Sequence, residues 1–203
     1  MDEKKTWALR LMEYLTGLRN VEALTLGCEF LWNLSEVSFA LEPLQTLLCN
    51  LRYLTLEVPS VKNCMCGMIY LLQNVPNIEA LVFKTYGGWL AEAEFWNKEP
   101  SYQKIMETDW EENLLFDYSI LYKLRTIEFK IFLGCNSEFR ILKLLLKAAK
   151  CLEKIDIIAS VIWGGYSKKI CKQLLVRFVI STSFSKYINI VIILLNLCSS
   201  VDR

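Results

Sequence analysis

One apolar spacing occurs five times in this chain: Val21-x-x-Leu24-x-Leu26, Leu51-x-x-Leu54-x-Leu56, Ile78-x-x-Leu81-x-Phe83, Leu124-x-x-Ile127-x-Phe129 and Leu152-x-x-Ile155-x-Ile157. A further apolar residue stands three positions before each copy, at Leu18, Leu48, Val75, Leu121 and Ala149. The second half of the template alternates with the period of two that marks a strand with one buried face. A template that returns in this way calls for a repeating supersecondary unit, because one unit alone leaves an apolar face that only a like neighbour can cover. Four of the five copies follow a segment with helical character, the first of them Lys5 to Thr16, where Trp7, Leu11 and Leu15 fall on one side.

The stretch from Leu121 to Ser160 shows the unit most completely. Its first strand runs from about Leu124 to Leu133, with Ile127, Phe129 and Ile131 on one face and Thr126, Glu128 and Lys130 on the other. Gly134 ends it, and Asn136 or Ser137 can cap a helix that carries Glu138 in its first turn and Lys143, Lys147 and Lys150 toward its end, the arrangement the helix dipole favours. Phe139, Leu142, Leu145, Leu146 and Ala149 form its apolar stripe before Leu152, Ile155 and Ile157 restart a strand. A helix between two strands implies a parallel crossover, since a hairpin needs only a short turn.

The copies begin at residues 21, 51, 78, 124 and 152, so successive copies lie 30, 27, 46 and 28 residues apart. Leucine-rich repeats recur every 20–29 residues or so. The expected fold is therefore α/β: a leucine-rich-repeat-like open solenoid with a curved parallel sheet, helices on its outer face, and a final β-α-β unit. The 46-residue step contains an insertion, Gly87–Asn113, with a Gly-Gly pair, aromatics and a run of acids. It separates irregular repeats over 1–90 from a second part over 113–192, with 91–112 as linker and 193–203 as an apolar tail. The Asn or Cys that follows L-x-L in regular repeats is absent here, where Glu29, Pro59, Tyr86, Phe132 and Ser160 stand instead.

Composition narrows the function classes. The chain has 203 residues, 54% of them hydrophobic, and a formal net charge of +1, so no global field draws it to nucleic acid or to an anionic membrane. The start, MDEKKTW, lacks the apolar core of a secretory signal, and the eight cysteines are accordingly read as reduced. Cys28, Cys49, Cys135, Cys151 and Cys171 lie in or beside apolar segments, where a thiol acts as a small hydrophobe. Cys64-x-Cys66 has no second pair at zinc-finger distance. The expected setting is cytoplasmic or nuclear. Tyr187–Cys198 is the longest apolar run, shorter than the roughly 20 residues of a spanning helix, and reads as a buried strand, with a tail anchor as its alternative.

The chain contains no histidine, which removes the usual general base and every Ser-His or Cys-His pair. No phosphate-binding glycine loop is present, and Glu107, Asp109, Glu111 and Glu112 lack the spacing of a calcium loop. A non-enzymatic protein without catalytic, cofactor-binding or metal-binding residues is expected. Candidate protein-binding residues lie beside the repeat strands, at Thr25, Thr55, Glu57, Lys84, Glu128 and Lys130, and among the aromatics of the insertion, at Tyr86 and Trp89.

LRNVEALTLGCEFL (18–31), LRYLTLEV (51–58) and LLQNVPNIEALVF (71–83), followed by LRTIEFKIFLGCNSEFRILKLLLKAAKCLEKIDI, resemble the C-terminal half of plant F-box proteins that join leucine-rich repeats to an FBD domain. The FBD-like part covers about residues 113–192, most clearly the strand, Gly134, the Glu138 helix and Ala149, Leu152, Lys154 and Ile155, and more weakly KKICKQLLVRF at 168–178. The resemblance implies a substrate-recognition module of an SCF-type ubiquitin ligase, with an unidentified target protein as partner. A ligase adaptor would join only through an F-box in a longer product, because no F-box-like segment precedes these repeats. The alternatives are a truncated or mispredicted product without independent function, and a free binding protein of the same build unconnected to ubiquitination.

Overall fold

A computed structural model describes residues 3–37, 48–58, 64–85, 120–132, 136–160 and 189–195. Helix α1 (Glu3–Gly17) leads into β1 (Ala23–Gly27), followed by α2 (Cys28–Val37), β2 (Tyr53–Val58), α3 (Met65–Leu72) and β3 (Ala80–Thr85). Then come β4 (Thr126–Phe132), α4 (Asn136–Ala148), β5 (Lys154–Ser160) and β6 (Asn189–Leu195). The six strands form one sheet in sequence order, and every neighbouring pair is parallel. Leu24, Leu54, Leu81, Ile127 and Ile155 stand level across it, so all five template copies fall in a single register. The chain is thus α/β with an all-parallel sheet. The crossover expected between Leu121 and Ser160 is the parallel unit β4–α4–β5.

The register is set before each strand begins. Val21, Leu51, Ile78, Leu124 and Leu152 donate their backbone N–H to the residue three positions back, at 3.1–3.3 Å, which makes the same tight turn five times. Those acceptors are the apolar residues that precede each copy of the template. The carbonyls of Glu22, Arg52, Glu79 and Arg125 then each accept two consecutive N–H groups of the next unit, at 2.8–3.1 Å. Asn50 and Asn77 add side-chain bonds to the Arg19 and Cys49 carbonyls of the preceding unit. The asparagine tie missing after the strands is therefore made ahead of them.

Alternation along the strands sends one set of side chains into a core shared with the helices. Leu54, Leu56, Leu81, Phe83, Ile127, Phe129, Ile155 and Ile157 are all buried. Phe83 stacks on Phe129 at 4.7 Å, Phe129 meets Phe132 edge-on at 5.4 Å, and Phe132 meets Phe139 of α4 in the same way. Ile131 departs from the expected pattern. It adopts φ 65°, the pairing slips between Lys130 and Phe132, and Phe132 takes the core position that strict alternation assigns to Ile131. Thr85 holds this bulge, its buried hydroxyl donating to the Ile131 carbonyl at 2.6 Å. A β-branched residue in the left-handed region is strained, and the hydrogen bond together with the Phe132 contacts opposes that strain.

Other expectations shift in detail. Helix α4 already includes Asn136 and Ser137, so neither is its cap, and its buried stripe extends to Ile141, Leu144 and Ala148. Strand β6 runs on to Leu195, past the position at 192 where the sequence suggested that the second part ends, because Ile193 to Leu195 keep pairing with Ile158 to Ser160. Strand β3 pairs directly with β4, so the insertion interrupts the chain and leaves the sheet continuous. Cys49 and Cys151 are exposed rather than packed as small hydrophobes, since both lie in the turns before strands.

Helices α2 and α3 meet at Gly67. A Cβ there would overlap the Leu31 carbonyl oxygen and come within 2.8 Å of Ser35 Oγ. Gly67 N–H belongs to the first turn of α3, where no intrahelical acceptor exists, and it donates to Ser35 Oγ at 2.8 Å. Ser35 in turn donates to the Leu31 carbonyl at 2.8 Å. One buried hydroxyl thereby takes the place of the cap that Cys64 does not provide. Gly67→Ala should cost about 1–3 kcal/mol through overpacking. Ser35→Ala should cost about as much, roughly 1–3 kcal/mol, by stranding a buried N–H. Urea unfolding midpoints check both, and unchanged midpoints would remove this contact from the account.

Candidate functional site

The face of the sheet opposite the core carries the polar members of β1 to β5. Tyr53, Thr55 and Glu57 alternate along β2 with buried Leu54, Leu56 and Val58, so all three project from this face. Parallel register then orders the residues into rows. Thr25 stands beside Thr55, and Thr55, Val82, Glu128 and Asp156 continue that row across β2 to β5. Glu57, Lys84 and Lys130 form the next row toward the strand ends. Six of the eight residues expected from sequence, Thr25, Thr55, Glu57, Lys84, Glu128 and Lys130, are therefore brought together on four adjoining strands. Tyr86 and Trp89 lie outside the described residues, as does the acidic insertion.

Charges on this face are matched locally. Lys84 Nζ lies 2.9 Å from Glu57 across the strands, Lys130 lies 3.6 Å from Glu128, and Lys154 lies 2.6 Å from Asp156. All are partly exposed, so each pair contributes little to stability, about 0–1 kcal/mol. Their effect is to set an alternating pattern of potential, which bears on which partner fits more than on how tightly the sheet holds. Asp156 Oδ1 differs from the rest: it is buried and has no hydrogen-bond partner among the described residues, while Oδ2 takes Lys154. An acceptor buried without a donor costs about 1–3 kcal/mol.

Sequence reasoning missed three residues of this surface. Asp156 and Val82 occupy the same template position as Thr25, Thr55 and Glu128, between the last two apolar residues, so the template itself was the available signal. Tyr53 holds the equivalent place one step earlier in the strand and is 52% exposed. An exposed tyrosine beside small neighbours, Ala23 and Ala80 in register, is the type of residue that anchors an interface.

The titration shifts lie on the other side of the sheet. Burial, and secondarily the nearby Cys28, push the Cys64 thiol up to about 12, and burial raises Cys66 as well. Tyr70 is raised to about 12 by burial. A thiol raised in this way stays protonated, which is the reverse of an activated nucleophile. Since the neutral forms are favoured in the folded state, stability is retained below the ordinary values of 9.0 and 10.0 and falls as pH climbs from 9 toward 12. Alkylation at pH 8 mapped by mass spectrometry should label Cys49 and Cys151 promptly and Cys64 only on unfolding. Prompt labelling of Cys64 would contradict its burial between α2 and α3.

Among the described residues no helix is long and apolar enough to cross a membrane, and Asn189–Leu195, within the apolar run, is a strand. No family model and no curated protein matches the chain. A solved structure, carboxynorspermidine decarboxylase from Campylobacter jejuni in complex with norspermidine, is similar at 10% identity and a TM-score of 0.25, with 95% of this chain covered. The chain spans 57% of that protein, and a likeness so distant carries no argument about this one.

Proposed function

We propose that this chain is a non-catalytic protein-binding module that holds a target protein on the open face of its sheet. The supporting observation is that the recurring template sets its polar positions side by side, so residues more than 100 positions apart, Thr25 and Glu128, share one row three strands apart. Parallel sheets are usually covered on both faces. Here the core packs one face, while the other keeps the exposed Thr25, the half-buried Thr55, locally matched charges and the exposed Tyr53. A protein surface with hydrogen-bond donors and a groove for the tyrosine ring complements that combination.

The module resembles the leucine-rich-repeat and FBD portion of plant F-box proteins, and in that reading the target is held for ubiquitination by an SCF-type ligase. The sequential parallel sheet supports a repeat solenoid. The ligase connection rests on sequence resemblance alone. Affinity capture from plant extract, compared between the native chain and a Tyr53→Ala/Asp156→Ala variant of unchanged circular dichroism, tests the binding face. The target should be retained by the native chain and reduced about tenfold or more by the variant, the loss expected of an interface anchor. Equal capture by both would exclude this face. Recovery of cullin and its adaptor with the native product would support the ligase role, and their consistent absence with the target retained would leave a free binding module.

A further inference from the structure

The charges that cross this sheet follow one order at the turns and another on the open face. At the turns, the residue after the first apolar position of the template reads Arg52, Glu79, Arg125, Glu153 from unit to unit. Arg52 pairs with Glu79 at 2.6 Å and Arg125 with Glu153 at 2.7 Å. Successive units there present opposite signs, the order that costs neighbouring strands least.

On the open face the signs alternate in twos, because three ion pairs meet like end to like end. Lys84 is bonded to Glu57, Lys130 lies near Glu128 and Lys154 near Asp156, yet Lys84 stands directly beside Lys130 and Glu128 directly beside Asp156. Like charges opposite each other on neighbouring strands are unfavourable. The turn row shows that the same register accommodates strict alternation, so pairing of the strands does not require these two contacts. A local rule broken where the fold could keep it marks a surface shaped for something besides the fold.

The four side chains of the like pairs, Lys84, Lys130, Glu128 and Asp156, keep 37%, 42%, 31% and 26% of their surface, so each can be approached from solvent. Half-buried Val82 stands beside Glu128 and half-buried Ile158 beside Lys130, and apolar neighbours weaken the screening by water. The basic pair and the acidic pair are offset by two residues along the strands and by one strand across them, which sets their centres about 8 Å apart.

We infer that this part of the open face selects a partner-protein segment carrying one acidic and one basic side chain two positions apart, the acid over Lys84 and Lys130 and the base over Glu128 and Asp156. Side chains two positions apart in an extended segment project from the same side at about 6.7 Å, and their flexible stems cover the remaining distance. Each charge of the segment then faces two of the opposite sign. A polyanion, nucleic acid included, would bring its further charges against Glu128 and Asp156, and a polycation would bring its own against Lys84 and Lys130. This selectivity rests on the open face being the site of the target, as proposed above, and adds the chemistry by which a target is chosen.

Short capped peptides that differ only in a central Glu-Ala-Arg, Arg-Ala-Glu, Glu-Ala-Glu or Arg-Ala-Arg are the probes, titrated at low ionic strength into the isotopically labelled full chain and followed by amide chemical shifts. At least one of the two mixed peptides should saturate shifts at Lys84, Glu128, Lys130 and Asp156, about fivefold tighter than either like-charged peptide. Lys84→Glu/Lys130→Glu should transfer the preference to the two-arginine peptide, while Arg125→Gln in the turn row should leave it unchanged. Should the reversal unfold the chain, Lys84→Gln/Lys130→Gln should reduce the mixed peptide's advantage over the two-arginine peptide. Equal affinity of all four peptides for the native chain, absence of saturation, or shifts confined to other residues would overturn the inference. Target capture separates it from the reading on which it rests. Capture undiminished by Lys84→Glu/Lys130→Glu but lost in Tyr53→Ala/Asp156→Ala would overturn the charge selectivity and keep the face, whereas equal capture by the native chain and both variants would remove the face and the selectivity together.

Discussion

The structure depends on a backbone device repeated from unit to unit: a tight turn, then a carbonyl that receives two N–H groups of the following unit. Because the pair of donors is consecutive, this carbonyl fixes the start of each strand relative to the one before. Once the start is fixed, the strand period of two determines which side chains enter the core. A slip of one residue at any turn would send the leucines of that strand to the polar face and Thr, Glu or Lys into the apolar layer. The five turns and the apolar template are therefore two expressions of one requirement, and each unit is stable only when its neighbours share its register.

Much of this was legible in the sequence because the requirement falls on widely spaced leucines rather than on local propensity. Leu54, Leu81, Ile127 and Ile155 mark their strands, and the residues three positions before each copy mark the turns. The alternating Glu22, Arg52, Glu79, Arg125 and Glu153 were equally readable and indicate neighbours in sequence order, yet they become visible only once the copies are aligned by position. The same alignment places Cys151 with Asn50, Asn77 and Lys123, polar company that signals exposure. The bulge at Ile131 was not legible, since Ile131 and Phe132 are both apolar and only the position of Phe139 on α4 decides between them. Nor was the contact of Gly67 with Ser35, because periodicity gives the apolar face of a helix without saying where two helices approach most closely.

The candidate site follows from the same geometry. Residues at one template position become neighbours about 4.8 Å apart on successive strands, so a surface is assembled from parts of the chain that have no local relation. This is why Asp156 belongs with Glu128 and Thr55 although nothing in its own segment marks it. The core face and the polar face are obligatory partners: the burial of Phe83, Phe129 and Phe132 on one side is what leaves Lys84, Glu128 and Lys130 on the other. The proposed binding face is thus a consequence of the sheet's alternation.

The pairing of β3 with β4 is the most demanding point of the account, because it joins strands on either side of the insertion and carries the stack of Phe83 on Phe129. Nuclear Overhauser spectroscopy on isotopically labelled protein tests it directly. The account predicts backbone contacts that advance in the same direction along both strands, from Ala80 with Thr126 to Lys84 with Lys130, together with ring-to-ring contacts between Phe83 and Phe129. Contacts that run in opposite directions along the two strands, or that connect β4 to β2 in place of β3, would contradict it.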